Sequence, residues 1–204
     1  MDNEQGRRHW KKARDRAADA WSADPGTEAF NLPETLRDLP DPDPGAVDDS
    51  ELRELFELDQ RDRAGGVLAE GCGVRDSRRR RRAMEKFAAG QVRSPGDYYH
   101  LAMILQHGSR AEHYHLGFEL CRRAAAAGHR PARWLAAAAL DRWLLHHGLP
   151  QRYGTQYVDT GGAWALYRVD PATTDEERAA WDVPPLAEAL ARAERMNDAA
   201  GEPG

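Results

Sequence analysis

The chain has 204 residues, 41% of them hydrophobic and 31% charged, with a net charge of -5 and a mean hydropathy of -0.79. That balance fits one globular core with some chain left outside it. The longest run free of Asp, Glu, Lys and Arg spans residues 98–109, well short of the ~20 apolar residues that cross a bilayer, and the charged opening Met-Asp-Asn-Glu-Gln-Gly-Arg-Arg is no secretory signal; a cytoplasmic protein without membrane contact is expected.

Residues 1–48 read as a flexible extension or linker. A helical pattern covers 7–21, followed by Asp24-Pro25-Gly26 and the tract Leu39-Pro40-Asp41-Pro42-Asp43-Pro44-Gly45. Proline removes backbone donors and, with aspartate, leaves little apolar surface to offset the entropy of ordering. A single helical domain is expected over 49–198. It opens on a helix starting near Asp49, and four more follow near 77–89, 95–107, 110–127 and 131–147. The glycines Gly90, Gly108, Gly128 and Gly148 stand where helix C-caps belong, and Ser94 with Asp97, Ser109 with Glu112 and Thr174 with Glu177 read as capping boxes. Past Pro150 the period becomes two, giving a β-hairpin near 153–169 with strands of about six residues and a turn at Asp159-Thr160-Gly161-Gly162. An amphipathic helix over 186–196 and a disordered tail over 199–204 close the chain.

Helical hairpins of about 40 residues are the period of a helical-repeat solenoid. The stretch Arg123-Ala124-Ala125-Ala126-Ala127-Gly128-His129-Arg130-Pro131-Ala132-Arg133-Trp134-Leu135-Ala136, closing at Gly148, is similar to the Sel1-like branch of the tetratricopeptide repeats, and residues 99–108 echo the second half of that repeat. The fold class is therefore mostly α: a small helical-repeat-like (Sel1/TPR-like) bundle with a C-terminal β-hairpin and a terminal helix.

Polar groups on core faces are the informative residues of such a module. The face begun by Leu52, Leu55 and Phe56 continues to Asp59, Asp62 and Arg63. In the next helix Met84, Phe87 and Ala88 project back to Arg80, so Arg80 is expected to be the inward member of the run 78–82 and to pair with Asp59, Asp62 or Asp141. Asp141 interrupts the Trp134, Ala138 and Leu145 face, with Arg142 beside it, and His100, Ile104 and His107 share a stripe. The bland explanation is a buried Asp–Arg network that serves only the fold. Metal binding is not expected, because His113 and His115 point to nearly opposite sides and His146 and His147 diverge by about 100°. The two cysteines lack a CxxC spacing, which excludes a disulfide scaffold and a cysteine zinc site; Cys121 reads as core and Cys72 as exposed. No nucleotide or zinc-protease motif is present, and no cofactor is expected. Basic residues are 26 Arg against three Lys, the skew of a GC-rich genome, so the arginine run of an acidic chain makes nucleic acid an unlikely partner.

The string Asp141-Arg142, then Gln151-Arg152-Tyr153-Gly154-Thr155-Gln156, resembles a bacterial family of unknown function marked by a helix-ending Asp-Arg and a Gln-x-Tyr-Gly-Thr-Gln segment. Gln106-His107-Gly108 and Asp59-Gln60-x-Asp62-Arg63 match that family's upstream signatures. The resemblance implies that Asp59, Arg63, His107, Asp141, Arg142, Gln151, Tyr153 and Gln156 belong to one feature, and it carries no known reaction. Guanidinium, amide and phenol groups together suit recognition of a carboxylate or amide. Two functions stay open. One is a binding or adaptor module for a peptide, a partner protein or a small polar ligand, using Arg63, Arg142, Gln151, Tyr153 and Gln156. The other is a small cofactor-independent enzyme with His107 as acid or base and Asp141 orienting it. The 151–156 segment is a structural latch under the first and lines a pocket under the second.

Overall fold

Asp49 starts the first helix, α1 (Ser50–Arg61), by accepting the Leu52 N–H at 2.8 Å. The structure, a computed structural model, describes Leu36, residues 39–64 and residues 70–201, with side chains to residue 199. Along these residues follow α2 (Cys72–Ala88), α3 (Pro95–Gln106), α4 (Ala111–Ala126), α5 (Ala132–His146), the strands β1 (Tyr157–Asp159) and β2 (Trp164–Leu166), the short α6 (Asp175–Ala179) and α7 (Leu186–Gly201). The protein is mostly helical, with a two-stranded antiparallel hairpin and a terminal helix. No helix among the described residues is long and apolar enough to cross a membrane.

The core lies where α4 packs between α3 and α5, with α1 and α2 against α3. Leu101, Leu105, Leu116, Leu120, Leu135 and Trp143 are buried there, and truncating one such leucine to alanine costs about 2–5 kcal/mol. Four consecutive alanines of α5, residues 136–139, are all fully buried. Their small side chains let neighbours approach this helix on every side.

The capping boxes at Ser94/Asp97 and Thr174/Glu177 form as expected. The one at Ser109/Glu112 does not: Arg110 is the N-cap of α4 and no side chain caps it. The α3–α4 corner is instead fixed by the Tyr114 hydroxyl, which donates to the Gly108 carbonyl at 2.6 Å, and by the His113 ring, which a Cβ at residue 108 would strike. Gly90, Gly128 and Gly148 end their helices with φ of 67°, 93° and 70°, the left-handed conformation that glycine adopts without strain.

Three expectations need correction. The Pro/Asp tract packs against the body: Leu39 is 2% exposed, Tyr98 Oη donates to the Pro40 carbonyl at 2.8 Å, the Asp43 N–H donates to Arg93 O at 2.8 Å, and Ser94 Oγ donates to Asp48 at 2.5 Å. Proline takes donors away but leaves carbonyls free, and α3 supplies the donors. The expected helix over 7–21 and the last three residues lie outside the described residues, while residues 199–201, expected in a disordered tail, belong to α7. Second, α2 begins at Cys72, so Cys72 is buried and its thiol lies 3.5 Å from Asp76 Oδ2. Third, the strands are three residues long. Gly154, at φ 82°, breaks the extended run, and residues 151–156 fold back as a loop instead of alternating Tyr153 and Thr155 along a strand. The turn is as expected, with Asp159 Oδ1 accepting from the N–H groups of Gly161 and Gly162 at 2.9 and 2.8 Å.

Candidate functional site

The residues singled out by sequence fall into two clusters on different faces of α5. The first is built on Asp141, which is fully buried. Its Oδ1 accepts the N–H groups of Arg152 and Tyr153 at 2.7 and 2.9 Å, and its Oδ2 accepts the Thr155 N–H at 3.0 Å and the Thr155 hydroxyl at 2.7 Å. Burial pushes the Asp141 carboxyl up from its ordinary pKa, and these four bonds oppose that rise. Gln151, also fully buried, donates from Nε2 to the carbonyls of Gln156 and Tyr167 at 3.1 and 2.9 Å, and its Oε1 accepts the Gln156 N–H at 2.9 Å. Its own backbone joins Arg168 and Asp170 on the far side of the hairpin. Tyr153 is buried, and its carbonyl takes a 3.1 Å bond from Nε of the buried Arg178. Gln156 donates from Nε2 to Thr155 Oγ1 at 2.8 Å.

Asp141, Gln151, Tyr153 and Gln156 thus hold a loop that lacks regular secondary structure, giving its backbone groups the partners that burial demands. Asp141 shares no hydrogen bond or ion pair with His107 among the described residues, so the two do not form an acid–base pair.

The second cluster joins α1, α2 and the α3–α4 corner. The fully buried Asp59 has Oδ2 2.8 Å from His107 Nδ1, an approach without hydrogen-bond alignment, and also accepts from Gln60 Nε2 at 2.9 Å. Arg63 donates to Asp59 Oδ1 at 3.0 Å and to Asp76 Oδ2 at 2.7 Å. Burial alone would raise the Asp76 carboxyl, but hydrogen bonds from Arg63 and Arg79 outweigh it and hold the group at about 2. Arg79 bridges Asp76 at 2.6 Å and Asp62 at 2.8 Å, and Arg75 grips Asp62 at 2.8 and 3.1 Å.

The inward arginine is Arg79, not Arg80. The buried residues of α2 are Cys72, Asp76, Arg79, Ala83, Met84 and Lys86. Because Phe87 is only half-buried and Ala88 is exposed, a stripe projected back from them lands one residue late.

Arg80 is half-buried. It donates only to the His107 carbonyl at 3.2 Å and Ser77 Oγ at 3.3 Å, with no carboxylate bonded. Arg142 has no hydrogen bond or ion pair with any described residue, and its Nε is closed to solvent. Desolvation depresses both guanidiniums; the Asp76 and Asp59 carboxylates oppose it most at Arg80, and Tyr114 and Arg63 lie within electrostatic reach of both arginines. The half-buried His113 ring is driven down to about 4, first by desolvation and then by Arg80 and Arg110. The cluster meets solvent most widely at Arg75, whose side chain is 39% exposed, and more narrowly at Asp62, His107 and Arg63, at 18%, 16% and 19%.

The expected site residues therefore divide. Arg63 and His107 meet at Asp59, with Arg142 within electrostatic reach of Arg63, while Asp141, Gln151, Tyr153 and Gln156 make the latch. Sequence reasoning missed Asp76, Arg79, Thr155 and Tyr114. Asp76 and Arg79 carry an (i, i+3) signal that becomes legible once α2 is started at Cys72, whereas nothing in the sequence marks Tyr114. Among the described residues no cluster of three or more His, Cys, Asp or Glu is arranged to hold a metal ion. Compared with protein-family models, curated proteins and solved structures, the chain matched none.

Proposed function

We propose that this chain is a binding module of helical-repeat type for a small polar ligand, with its site at the α3–α4 corner around His107, Arg63 and Arg142. Arg142 carries the proposal. It is a partly buried guanidinium with no partner among the described residues, one position from an aspartate whose every bond is made. A desolvated charge without a counter-charge costs free energy in an empty protein, and a cost of that kind is retained where a ligand offsets it. The narrow exposure of His107 and Arg63 suits a small group better than a peptide laid along a groove. With the Gln-x-Tyr-Gly-Thr-Gln family and the Sel1-like repeats that its motifs resemble, we place the protein in the bacterial cytoplasm.

Denaturant unfolding of Arg142→Met tests this without knowledge of the ligand. The midpoint is expected to stay or rise, since an uncompensated charge is removed. A loss as large as that of Asp141→Ala would make Arg142 a structural group and end the proposal.

A second function has its own support, namely the buried Asp59 carboxylate beside His107 Nδ1, the placement that orients a histidine acid or base. Hydrolysis of simple ester or amide substrates that disappears in a folded His107→Ala variant would favour it over binding alone.

A further inference from the structure

Away from the α3–α4 corner, a cavity of about 70 Å³ opens where the first turn of α5, the 151–156 loop, β1 and α7 meet. Trp134 of α5 and Tyr157 of β1 line it, with Ala189 and Val183 behind them. Its charged groups, Glu188, Arg192 and Arg195, all come from α7. Positions 188, 192 and 195 fall at i, i+4 and i+7, the spacing of one helix face, so α7 sets its charges in a row along the cavity. The Tyr157 hydroxyl donates to the Ala189 carbonyl at 3.1 Å, and the Arg192 guanidinium lies over the Tyr157 ring, 5.6 Å from its centroid. Neither Arg192 nor Arg195 forms a hydrogen bond or ion pair with a described residue, and both keep their donors for a guest.

Charge selects the head of that guest. Two guanidiniums and one carboxylate leave one net positive charge in the lining. A monoanion balances it, whereas a dianion would be repelled by Glu188 and a cation by both arginines. A carboxylate is a monoanion whose two oxygens match the edge of a guanidinium. Size selects the tail. At about 70 Å³ the cavity is about half the ~150 Å³ that houses a benzene ring, so it admits a chain of about three or four carbons. Val183 and Ala189 are buried and Trp134 and Tyr157 offer aromatic surface, and each methylene moved from water into such a lining favours binding about fourfold.

We propose that this cavity binds a short aliphatic monocarboxylate, its carboxylate held by Arg192 and Arg195 and its hydrocarbon end against Trp134 and Tyr157. The site is separate from the α3–α4 corner and does not depend on it, since Trp134 and Arg142 stand about 12 Å apart along the axis of α5. A free acid and the carboxyl-terminal residue of a peptide share this chemistry, and the test separates them.

The probes are acetate, isovalerate, octanoate, isopentylamine and N-acetyl-leucine, titrated into the full chain at neutral pH while NMR follows the Trp134 indole N–H. Saturable shifts at Trp134 are expected with isovalerate, at least about tenfold tighter than with acetate. Octanoate should bind no more tightly than isovalerate, because its added carbons have no room, and isopentylamine, of the same shape and opposite charge, should not bind. Tighter binding of N-acetyl-leucine would identify a peptide carboxyl terminus, and tighter binding of isovalerate a free acid. Arg192→Met and Arg195→Met, both at exposed positions that the fold does not need, are each expected to weaken isovalerate about fivefold or more, and Arg78→Met, on the exposed side of α2, to change nothing. No saturation by isovalerate at Trp134, equal binding of the amine, affinity that keeps rising through octanoate, or full affinity in both cavity-arginine variants would overturn the proposal.

Discussion

Asp141 and Arg142 are adjacent in sequence, about 100° apart around α5, and they serve two regions with opposite accounts of polar burial. On the Asp141 side the carboxylate accepts four hydrogen bonds from the 151–156 loop and the Gln151 amide makes three more to backbone groups. On the Arg142 side a guanidinium closed to solvent at Nε makes no bond to any described residue, whereas the buried Arg178 beside the latch makes three. A saturated network fixes a fold; one left with surplus charge of one sign is a place where something else binds. The comparison separates residues that a shared motif would group as one site.

The sharpest way to break it is Asp141→Ala. Four donors would lose their acceptor in a buried loop, and a loss of about 3–5 kcal/mol in unfolding free energy is expected by denaturant titration. A loss under about 1 kcal/mol would show that the loop holds itself, because that is the scale of one ordinary hydrogen bond. Next in size is Arg79→Met, expected to cost about 3 kcal/mol because it leaves Asp76 and Asp62 short of a bridging cation at a buried position.

Acid sharpens the contrast in a different way. The His113 imidazole is depressed from 6.5 to about 4, so between those values the unfolded chain binds a proton that the folded chain does not. The stability held by neutral His113 is full above pH 6.5, falls as pH drops through this window, and levels off below about 4. Its size is about 3 kcal/mol. His100 and His129, both lowered by burial, act in the same direction. Unfolding midpoints from pH 7 to 4 should therefore fall, and His113→Gln should flatten the slope; an unchanged slope would remove His113 from the account.

A smaller effect belongs to Gln156→Ala. The backbone of Gln156 is what Gln151 grips, while its own side chain makes one 2.8 Å bond to Thr155 Oγ1, so the expected loss is about 1 kcal/mol. Gln151→Ala, which removes three bonds to backbone groups, should cost visibly more in the same titration, and the reverse order would mean that the latch is assigned to the wrong glutamine.

Much of the fold was legible because its cues are local. Ser94 and Thr174 announce their helices through reciprocal bonds three residues on, and Gly90, Gly128 and Gly148 mark helix ends by a backbone conformation that few other residues tolerate. Pro40 and Pro42 misled because their composition describes the chain alone, whereas Leu39 and the Pro40 carbonyl are held by partners more than fifty residues away. The site was half legible. Periodicity showed that Asp59, Asp141 and an arginine of α2 must be buried, yet which of them face one another depends on helix packing angles, and projecting the stripe back from the half-buried Phe87 and exposed Ala88 moved the inward arginine from Arg79 to Arg80. The motif Gln-x-Tyr-Gly-Thr-Gln looked like a recognition surface because amides recognise polar ligands; here its amides recognise the backbone of their own loop.

The smallest expected effect is the most discriminating. Arg79 and Arg80 are consecutive, carry the same charge and sit in the same helix, so charge-dependent effects on the unfolded chain and on helix propensity are nearly equal for the two. What differs is the partner. Arg79 bridges two carboxylates, and Arg80 touches a carbonyl and a hydroxyl at 3.2 and 3.3 Å. If surplus charge is what distinguishes the α3–α4 corner from the latch, Arg80→Met should leave the unfolding free energy within about 0.5 kcal/mol, or raise it by removing a desolvated cation, while Arg79→Met falls by several times as much. Equal losses for Arg79→Met and Arg80→Met in matched denaturant titrations would mean that Arg80 belongs to the structural network, and the corner would then hold no charge in search of a partner.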